Sequence, residues 1–346
     1  MQDVATYLHH KWSASRSHWR PFLSVFYLTY ACDFRCCYCS DGSGKPYYKS
    51  AQPHPSAETA LTILTKIRRY TKRVVITGGE PLNHPDFGRI MSRLPDIGFK
   101  EVILTTNGYC LDQYLHQISR AVSSLVISLD TLIPERADAI NGTPGGTFKK
   151  IVANLERADH YHPKKYRILI SSVLTPDNIH DLYALYDFCH RKGYLLAVCP
   201  QLVGVKVHPD LIENDAYKHF YDFLIARKKR GGLVYGTPLY LKYLRNLRRF
   251  HCYPFTMLTI SPEGEVFYPC LEIGRSAGNI LGDEDLHQLR QKGRSTYGPQ
   301  PNCGNQCHSA CALGFSLIID HPLSMLQEIY LLLKTFLSPI EGHGKK

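Results

Sequence analysis

FLSVFYLTYACDFRCCYC, residues 22–39, joins an apolar run, Phe22 to Tyr30, to a loop with four cysteines. The run has strand length and is rich in branched and aromatic side chains. Five more runs of this kind follow: Val74 to Thr77, Val102 to Thr105, Leu125 to Leu129, Ile168 to Val173 and Leu195 to Val198. Between them lie segments with helical spacing. Ser56-Ala57-Glu58 opens one, and the others are Asp86 to Leu94, Leu111 to Ala121, Thr147 to Tyr161 and Asn178 to Arg191. Alternation of this kind predicts an α/β fold, a partial (β/α)6 TIM-like barrel, with its working residues on loops after the strands.

The chain has 346 residues, 44% apolar and 21% charged, a globular composition. No run reaches the roughly 20 apolar residues that span a bilayer, and the start lacks a signal peptide's basic-then-apolar order. A cytoplasmic protein is expected. Forty-one Lys and Arg against thirty Asp and Glu give a net charge of +11, which favours an acidic partner. No nucleic-acid motif accompanies it, so nucleic acid is a minority reading. In a reducing compartment, twelve cysteines point to metal or redox chemistry rather than disulfides.

Cys32, Cys36 and Cys39 have the spacing C-x3-C-x2-C. Three thiolates on a tight loop can hold three corners of a [4Fe–4S] cluster and leave one iron open to an outside molecule. The alternative is a structural zinc loop, which wants four closed ligands, and no fourth Cys or His lies at suitable spacing. Cys36 fits the register, and Cys37 is expected to face the core.

With Tyr38 before the last cysteine and Thr77-Gly78-Gly79-Glu80-Pro81 after the second strand, the chain resembles the radical S-adenosylmethionine enzymes. Further motifs follow in the family's order: Thr106-Asn107-Gly108, Ile127-Ser128-Leu129-Asp130, the stretch Asn141 to Phe148, and Val173 to Asn178. Asn141 is a departure, since many relatives have Arg there. The resemblance implies a [4Fe–4S] cluster on Cys32, Cys36 and Cys39 with S-adenosylmethionine chelating the open iron. Tyr38, Thr77, Gly78, Gly79, Glu80, Pro81, Asn107, Ser128 and Asp130 would then bind that cofactor. Gly78 and Gly79 would let the backbone approach it, Glu80 would accept from its ammonium group, and Ser128 and Asp130 would meet ribose hydroxyls. Reductive cleavage to a 5′-deoxyadenosyl radical and hydrogen-atom abstraction are the implied activity.

Five cysteines lie downstream. Cys252 and Cys270 flank an expected hairpin, Met257–Ile260 and Glu265–Tyr268, which brings them together; Cys303, Cys307 and Cys311 follow. The layout resembles the SPASM or twitch extension, a small cysteine-rich α+β module that holds an auxiliary [4Fe–4S] cluster. Cys252, Cys270, Cys303 and Cys307 are the favoured ligands, with Cys311 able to replace a neighbour, His308 a weaker rival and zinc the competing metal. Cys199, at the end of the sixth strand, would point to the barrel mouth as a hydrogen-atom donor, or be buried core.

The expected organisation is a basic N-terminal arm (1–20), the barrel (21–205), a helical connector (206–250), the auxiliary-cluster module (251–315) and a C-terminal apolar helix and tail (316–346). The arm carries His9, His10, Lys11, Arg16, His18 and Arg20. Arg227 to Arg230 with Gly231-Gly232 reads as a phosphate cradle or an exposed helix face. A helix over Leu317 to Leu337 would pack on the barrel through Leu326, Ile329, Tyr330, Leu333 and Phe336, or lie at a membrane interface. The expected substrate is a small anionic biosynthetic intermediate such as a nucleotide sugar, with a flavodoxin or ferredoxin as electron donor. Alternatives are peptide modification, a lipid precursor with peripheral contact at the inner membrane face, and a non-catalytic iron–sulfur or zinc protein.

Overall fold

The structure is a computed structural model that describes residues 2–12, 19–40, 49, 54–298, 307–324 and 326. It begins with a helix, α1 (Gln2–Trp12), where an unstructured arm is the sequence expectation. Six parallel strands then lie side by side in chain order: β1 (Leu23–Thr29), β2 (Arg73–Gly78), β3 (Glu101–Thr106), β4 (Ser124–Ser128), β5 (Arg167–Leu174) and β6 (Leu195–Pro200). The intervening helices are α2 (Ala57–Arg68), α3 (Phe87–Ile97), α4 (Leu115–Ala121), α5 (Pro134–Asn141), α6 (Thr147–His160) and α7 (Asp181–Lys192). The sheet is open among the described residues, as a partial barrel requires.

Strand residues alternate between faces. One parity, including Phe26, Ile76, Leu104, Ile127 and Ile170, is fully buried in the core shared with the helices. The other lines the inner face and is less buried, with Thr77, Ser128, Ser171, Ala197 and Cys199 at its upper level. Two expectations need correction. The segment from Leu111 to Ala121 is a 3-10 turn, Leu111–Gln113, followed by α4. Helix α5, which carries almost no apolar stripe, follows the fourth strand and is started by Pro134 in its first turn.

Beyond β6 come a small hairpin, β7 (Leu202–Val203) with β8 (Lys206–Val207), and two helices, α8 (Asp215–Lys229) and α9 (Pro238–Arg245), in place of one continuous helical connector. Lys228 of the basic run is buried and donates to the Val234 carbonyl at 2.8 Å, while the Arg227 guanidinium lies 4.9 Å over the Phe223 ring. Lys228 therefore serves packing, while Arg227 stays exposed with its guanidinium against a ring.

The expected hairpin is present as β9 (Met257–Ile260) and β10 (Glu265–Tyr268), with β11 (Arg275–Asn279) beside it, but it is hydrogen-bonded into the main sheet. Strand β9 runs parallel to β1, with Met257 level with Leu23 and Ile260 level with Phe26. Sequence periodicity contains no such long-range pairing. Helix α10 (Leu286–Tyr297) follows, and α11 (Ala310–Asp320) closes the described chain. The expected helix from Leu317 is thus interrupted at Asp320, just before Pro322, and residues 327–337 lie outside the described residues.

Helix α1 packs against α11. His10 is its buried anchor: Nε2 bonds the Arg20 carbonyl at 2.8 Å, and the ring lies 6.0 Å from that of Phe22 and 6.5 Å from that of Tyr253. Burial, with the positive charges of His9, Arg290 and Arg20, lowers its pKa to about 4, against the partial opposition of the carbonyl bond. The folded state holds His10 neutral while the unfolded chain protonates near 6.5. Its contribution is full above 6.5 and is lost as pH falls toward 4, up to about 3 kcal/mol at 1.36 kcal/mol per unit. Unfolding measured from pH 7.5 to 4 should show a loss of stability in the wild type that His10→Gln reduces.

Candidate functional site

The cysteine loop leaves the C-terminal end of β1 and is held by the ends of β2, β3 and β4. The Gly79 N–H donates to the Thr29 carbonyl at 2.7 Å and the Glu80 N–H to the Ala31 carbonyl at 2.8 Å. A Cβ at Gly78 would sit 2.2 Å from the Thr29 oxygen, and one at Gly79 would sit 2.4 Å from the Ala31 oxygen. The sequence expectation had these glycines making room for a ligand; what they admit here is the stem of the cysteine loop itself.

Glu80 is buried. It accepts from Leu82 N at 3.0 Å and Thr106 Oγ1 at 2.8 Å on one oxygen, and from Asn107 N at 2.6 Å on the other. Burial pushes it up to about 7 despite these donors. A carboxylate offers about four acceptor positions, so capacity for one further donor remains. Asn107 also extends its side-chain amide to Asp33 Oδ1 at 2.9 Å, which ties the third strand's loop to the cysteine loop. Pro81 is buried and opens a 3-10 turn, Pro81–Asn83.

On the opposite flank, the Tyr38 hydroxyl donates to Asp130 Oδ2, and Ser172 Oγ and Val173 N donate to Oδ1 at 3.1 and 2.8 Å. Asp130 is buried, and burial raises its pKa. Its carboxylate therefore anchors the loop to β5, whereas the sequence expectation aimed it at a ribose. Ser128 and Thr77 remain on the inner face. Asn141, the departure from the family pattern, accepts from Arg35 N through its backbone at 2.8 Å and lies with Oδ1 3.6 Å from Cys36 Sγ. Its part in the loop was not legible in the sequence, because α5 itself was not expected.

Cys32 and Cys36 are half-buried and Cys39 is exposed. Cys37 is exposed rather than turned to the core: its N–H is bonded to the Ile140 carbonyl at 3.1 Å, which holds the loop against α5 with the side chain outward. Burial pushes the Cys32 thiol up to about 12, with Glu80 and Asp33 adding to it, and raises Cys36 further, with Cys39 and Asp130 adding to it. Such thiols ionise only beside a strong cationic centre, which a cluster iron supplies. Among the described residues no three His, Cys, Asp or Glu side chains converge as ligands of one ion would. Cys32, Cys36 and Cys39 lie close enough for Cys39 to raise the pKa of the other two, and a four-iron cluster takes its thiolates one per iron, so three neighbouring thiols on one loop fit it.

The second cysteine group lies at the other end of the sheet. Cys252 precedes β9 and Cys270 follows β10, both beyond the Leu23 end of β1. The seven residues of β1 rise about 3.3 Å each, which separates the two groups by roughly 20 Å. The Tyr253 N–H donates to Ser316 Oγ of α11 at 3.1 Å, and Glu272 is hydrogen-bonded to Ser309. These contacts draw the segments of Cys252, Cys270 and Cys307 to one place. Cys303 lies outside the described residues, as does the side chain of Cys311.

The Radical SAM superfamily model matches residues 26–189. The chain carries a radical S-adenosylmethionine domain. Such domains use a [4Fe–4S] cluster and S-adenosylmethionine. A probable GTP 3′,8-cyclase of Methanothermobacter thermautotrophicus is 27% identical over 210 residues, 57% of this chain and 63% of that protein. The one from Methanothermobacter marburgensis is 25% identical over 81% of this chain and 97% of its own length. Molybdenum cofactor biosynthesis protein 1 of Homo sapiens is 34% identical over 46% of this chain, and the match spans 26% of that protein. The chain thus spans less than two thirds of several of these relatives. Among solved structures, Streptococcus suis SuiB bound to precursor peptide SuiA aligns with TM-score 0.61 and 17% identity, covering 78% of this chain and 64% of that one. Native anSMEcpe with AdoMet and a Cp18Cys peptide aligns with TM-score 0.60 and 16% identity, covering 91% and 99%. At these identities the likeness is one of fold.

Gly79→Ala should prevent the stem from closing: after anaerobic reconstitution, iron per chain and the charge-transfer absorbance of the cluster should fall by the share due to the first site. Gly88→Ala, on α3, where the backbone is helical and a Cβ would meet nothing closer than 3.5 Å, serves as the control.

Proposed function

We propose that this chain is a radical S-adenosylmethionine enzyme acting on a small anionic biosynthetic intermediate, with a nucleoside phosphate the leading candidate. The observation that carries it is the single hydrogen-bonded assembly that binds the Cys32–Cys39 loop to Gly79, Glu80 and Asn107 at the C-terminal ends of three adjacent strands. When bound, the cluster and its cofactor supply a 5′-deoxyadenosyl radical able to take a hydrogen atom from an unactivated carbon.

Cys32, Cys36 and Cys39 hold the cluster. Glu80, raised to about 7 by burial, accepts a hydrogen bond from the ammonium group of the methionine moiety, which favours its charged form. Thr77 and Ser128, on the inner face, line the path of the nucleoside portion, and Tyr38, locked by Asp130, presents its backbone to adenine. Gly78 and Pro81 shape the turn that carries Glu80. Cys199 stands on the same inner face at the end of β6, with Sγ 3.8 Å from the Ser172 carbonyl, where a thiol can return a hydrogen atom to a substrate radical. At the far end, Cys252, Cys270, Cys303 and Cys307, with Cys311 as the alternate, hold an auxiliary cluster in a module over 251–315, facing the other opening of the inner face.

The nucleotide reading is supported by the relatives named as GTP 3′,8-cyclases and by the net charge of +11. Anaerobic incubation of reduced, reconstituted protein with S-adenosylmethionine should release 5′-deoxyadenosine, and Cys36→Ala should abolish it. Absence of the product from the wild type would leave a non-catalytic iron–sulfur protein. Glu80→Gln should weaken binding of S-adenosylmethionine by about 10- to 100-fold, the worth of a charged hydrogen bond, in equilibrium dialysis. A panel of nucleoside triphosphates, nucleotide sugars and neutral peptides should raise 5′-deoxyadenosine yield only with the phosphorylated members. A rise only with peptides would reverse the substrate reading.

A further inference from the structure

Three of the most exposed large apolar side chains lie on α1 and just past α11, two helices that pack together. Trp12 ends α1 and is 72% exposed, while Leu323 and Leu326, just past α11, are 76% and 61% exposed. On α1 the exposed positions Ala5, Leu8 and Trp12 recur at helical spacing, opposite the buried Thr6 and His10, so the helix is docked by one face and bare on the other. The connection between the two elements is explicit. The His10 ring meets Tyr253, and the Tyr253 hydroxyl donates at 2.8 Å to Asp320, three residues before Leu323.

The rim of this patch is basic. Arg248 lies 5.8 Å over the Tyr243 ring, and that ring lies 6.3 Å from His321. Arg248, Arg249, His251 and His321 are exposed. Residues 238–252, 4–12 and 321–327 contain no Asp or Glu. Exposed Trp and Leu prongs inside a ring of cations match the boundary between an anionic headgroup layer and its acyl chains. A second copy of this chain fits poorly, because a two-fold contact would bury the same basic edge on both copies. No helix of the described residues is long and apolar enough to cross a membrane, so the contact is peripheral.

We propose that the edge formed by the bare face of α1 and the segment past α11 seats this protein on an anionic membrane surface. Trp12, Leu323 and Leu326 enter the acyl boundary, and Arg248 and Arg249 pair with headgroup phosphates. The proposal is independent of the substrate reading.

The full chain is mixed with phosphatidylglycerol/phosphatidylcholine vesicles and, separately, with pure phosphatidylcholine vesicles, and binding is read by flotation. Binding to the anionic vesicles alone is expected, with release at high salt. Tryptophan emission should shift to the blue and be quenched by brominated acyl chains, a signal that reports Trp12 because the only other tryptophan, Trp19, is 4% exposed. Combined Trp12→Ala, Leu323→Ala and Leu326→Ala, or Arg248→Glu with Arg249→Glu, should weaken partitioning about tenfold or more at about 1 kcal/mol per basic residue. Their 5′-deoxyadenosine yield and melting temperature should stay at the wild-type level. Equal binding to both vesicle types, no binding to either, or variants that bind like the wild type would overturn the proposal. So would a concentration-dependent dimer that these substitutions abolish, which would assign the edge to a second copy.

Discussion

The backbone of β1 and the backbone after β2 touch without side chains between them. Two hydrogen bonds, from Gly79 and Glu80 to Thr29 and Ala31, close this contact, and any Cβ at either glycine would overlap a carbonyl oxygen. It turns the residues after β1 into a fixed stem, so the cysteines start from one defined point. It also delivers Glu80 into a dry position where three donors meet it. The remaining supports depend on that start. Asn107 reaches Asp33, Asp130 reaches Tyr38, and α5 reaches the backbone of Arg35 and Cys37. A loop with little core of its own is thereby held by four neighbouring loops.

The sheet's direction gives the molecule its polarity. Parallel strands place the first cysteine group and its partners at one end, and β9, added beside β1 in the same direction, carries Cys252 to the other. The inner face, with Thr77, Ser128 and Cys199 along it, runs between them. A substrate held there would have a cluster-bearing loop on one side and the second cysteine group on the other.

The excess positive charge is spread unevenly in its use. Lys228 is absorbed into packing, and Arg136 pairs with Asp181 at 2.7 Å. Arg248 and Arg249 instead remain exposed beside the apolar edge of α1 and the residues past α11. Net charge alone does not distinguish these fates, since each depends on whether a carbonyl, a ring or a carboxylate lies within reach.

The six strand runs, the N-cap at Ser56 and the cysteine spacing were legible in the chain, because each is a property of neighbouring residues: apolar alternation, a capping hydroxyl, the reach of three thiols on one loop. Helix α5 was missed because its sequence has almost no apolar stripe to detect, and Cys37 was placed inward because adjacent cysteines give no local sign of which one the backbone turns outward. The roles of Gly78, Gly79 and Asp130 were read as contacts to a ligand. In the structure they hold the loop, through partners 42 to 92 positions distant in the case of Asp130. By itself, the sequence determined the α/β class and the six strand–helix units of the partial barrel. Only the tertiary structure decided that β9 lies beside β1, that the two cysteine groups lie at opposite ends of the sheet, and which motif residues support the loop. Such pairings depend on which distant backbones come within hydrogen-bonding distance, and no local pattern of residues records that.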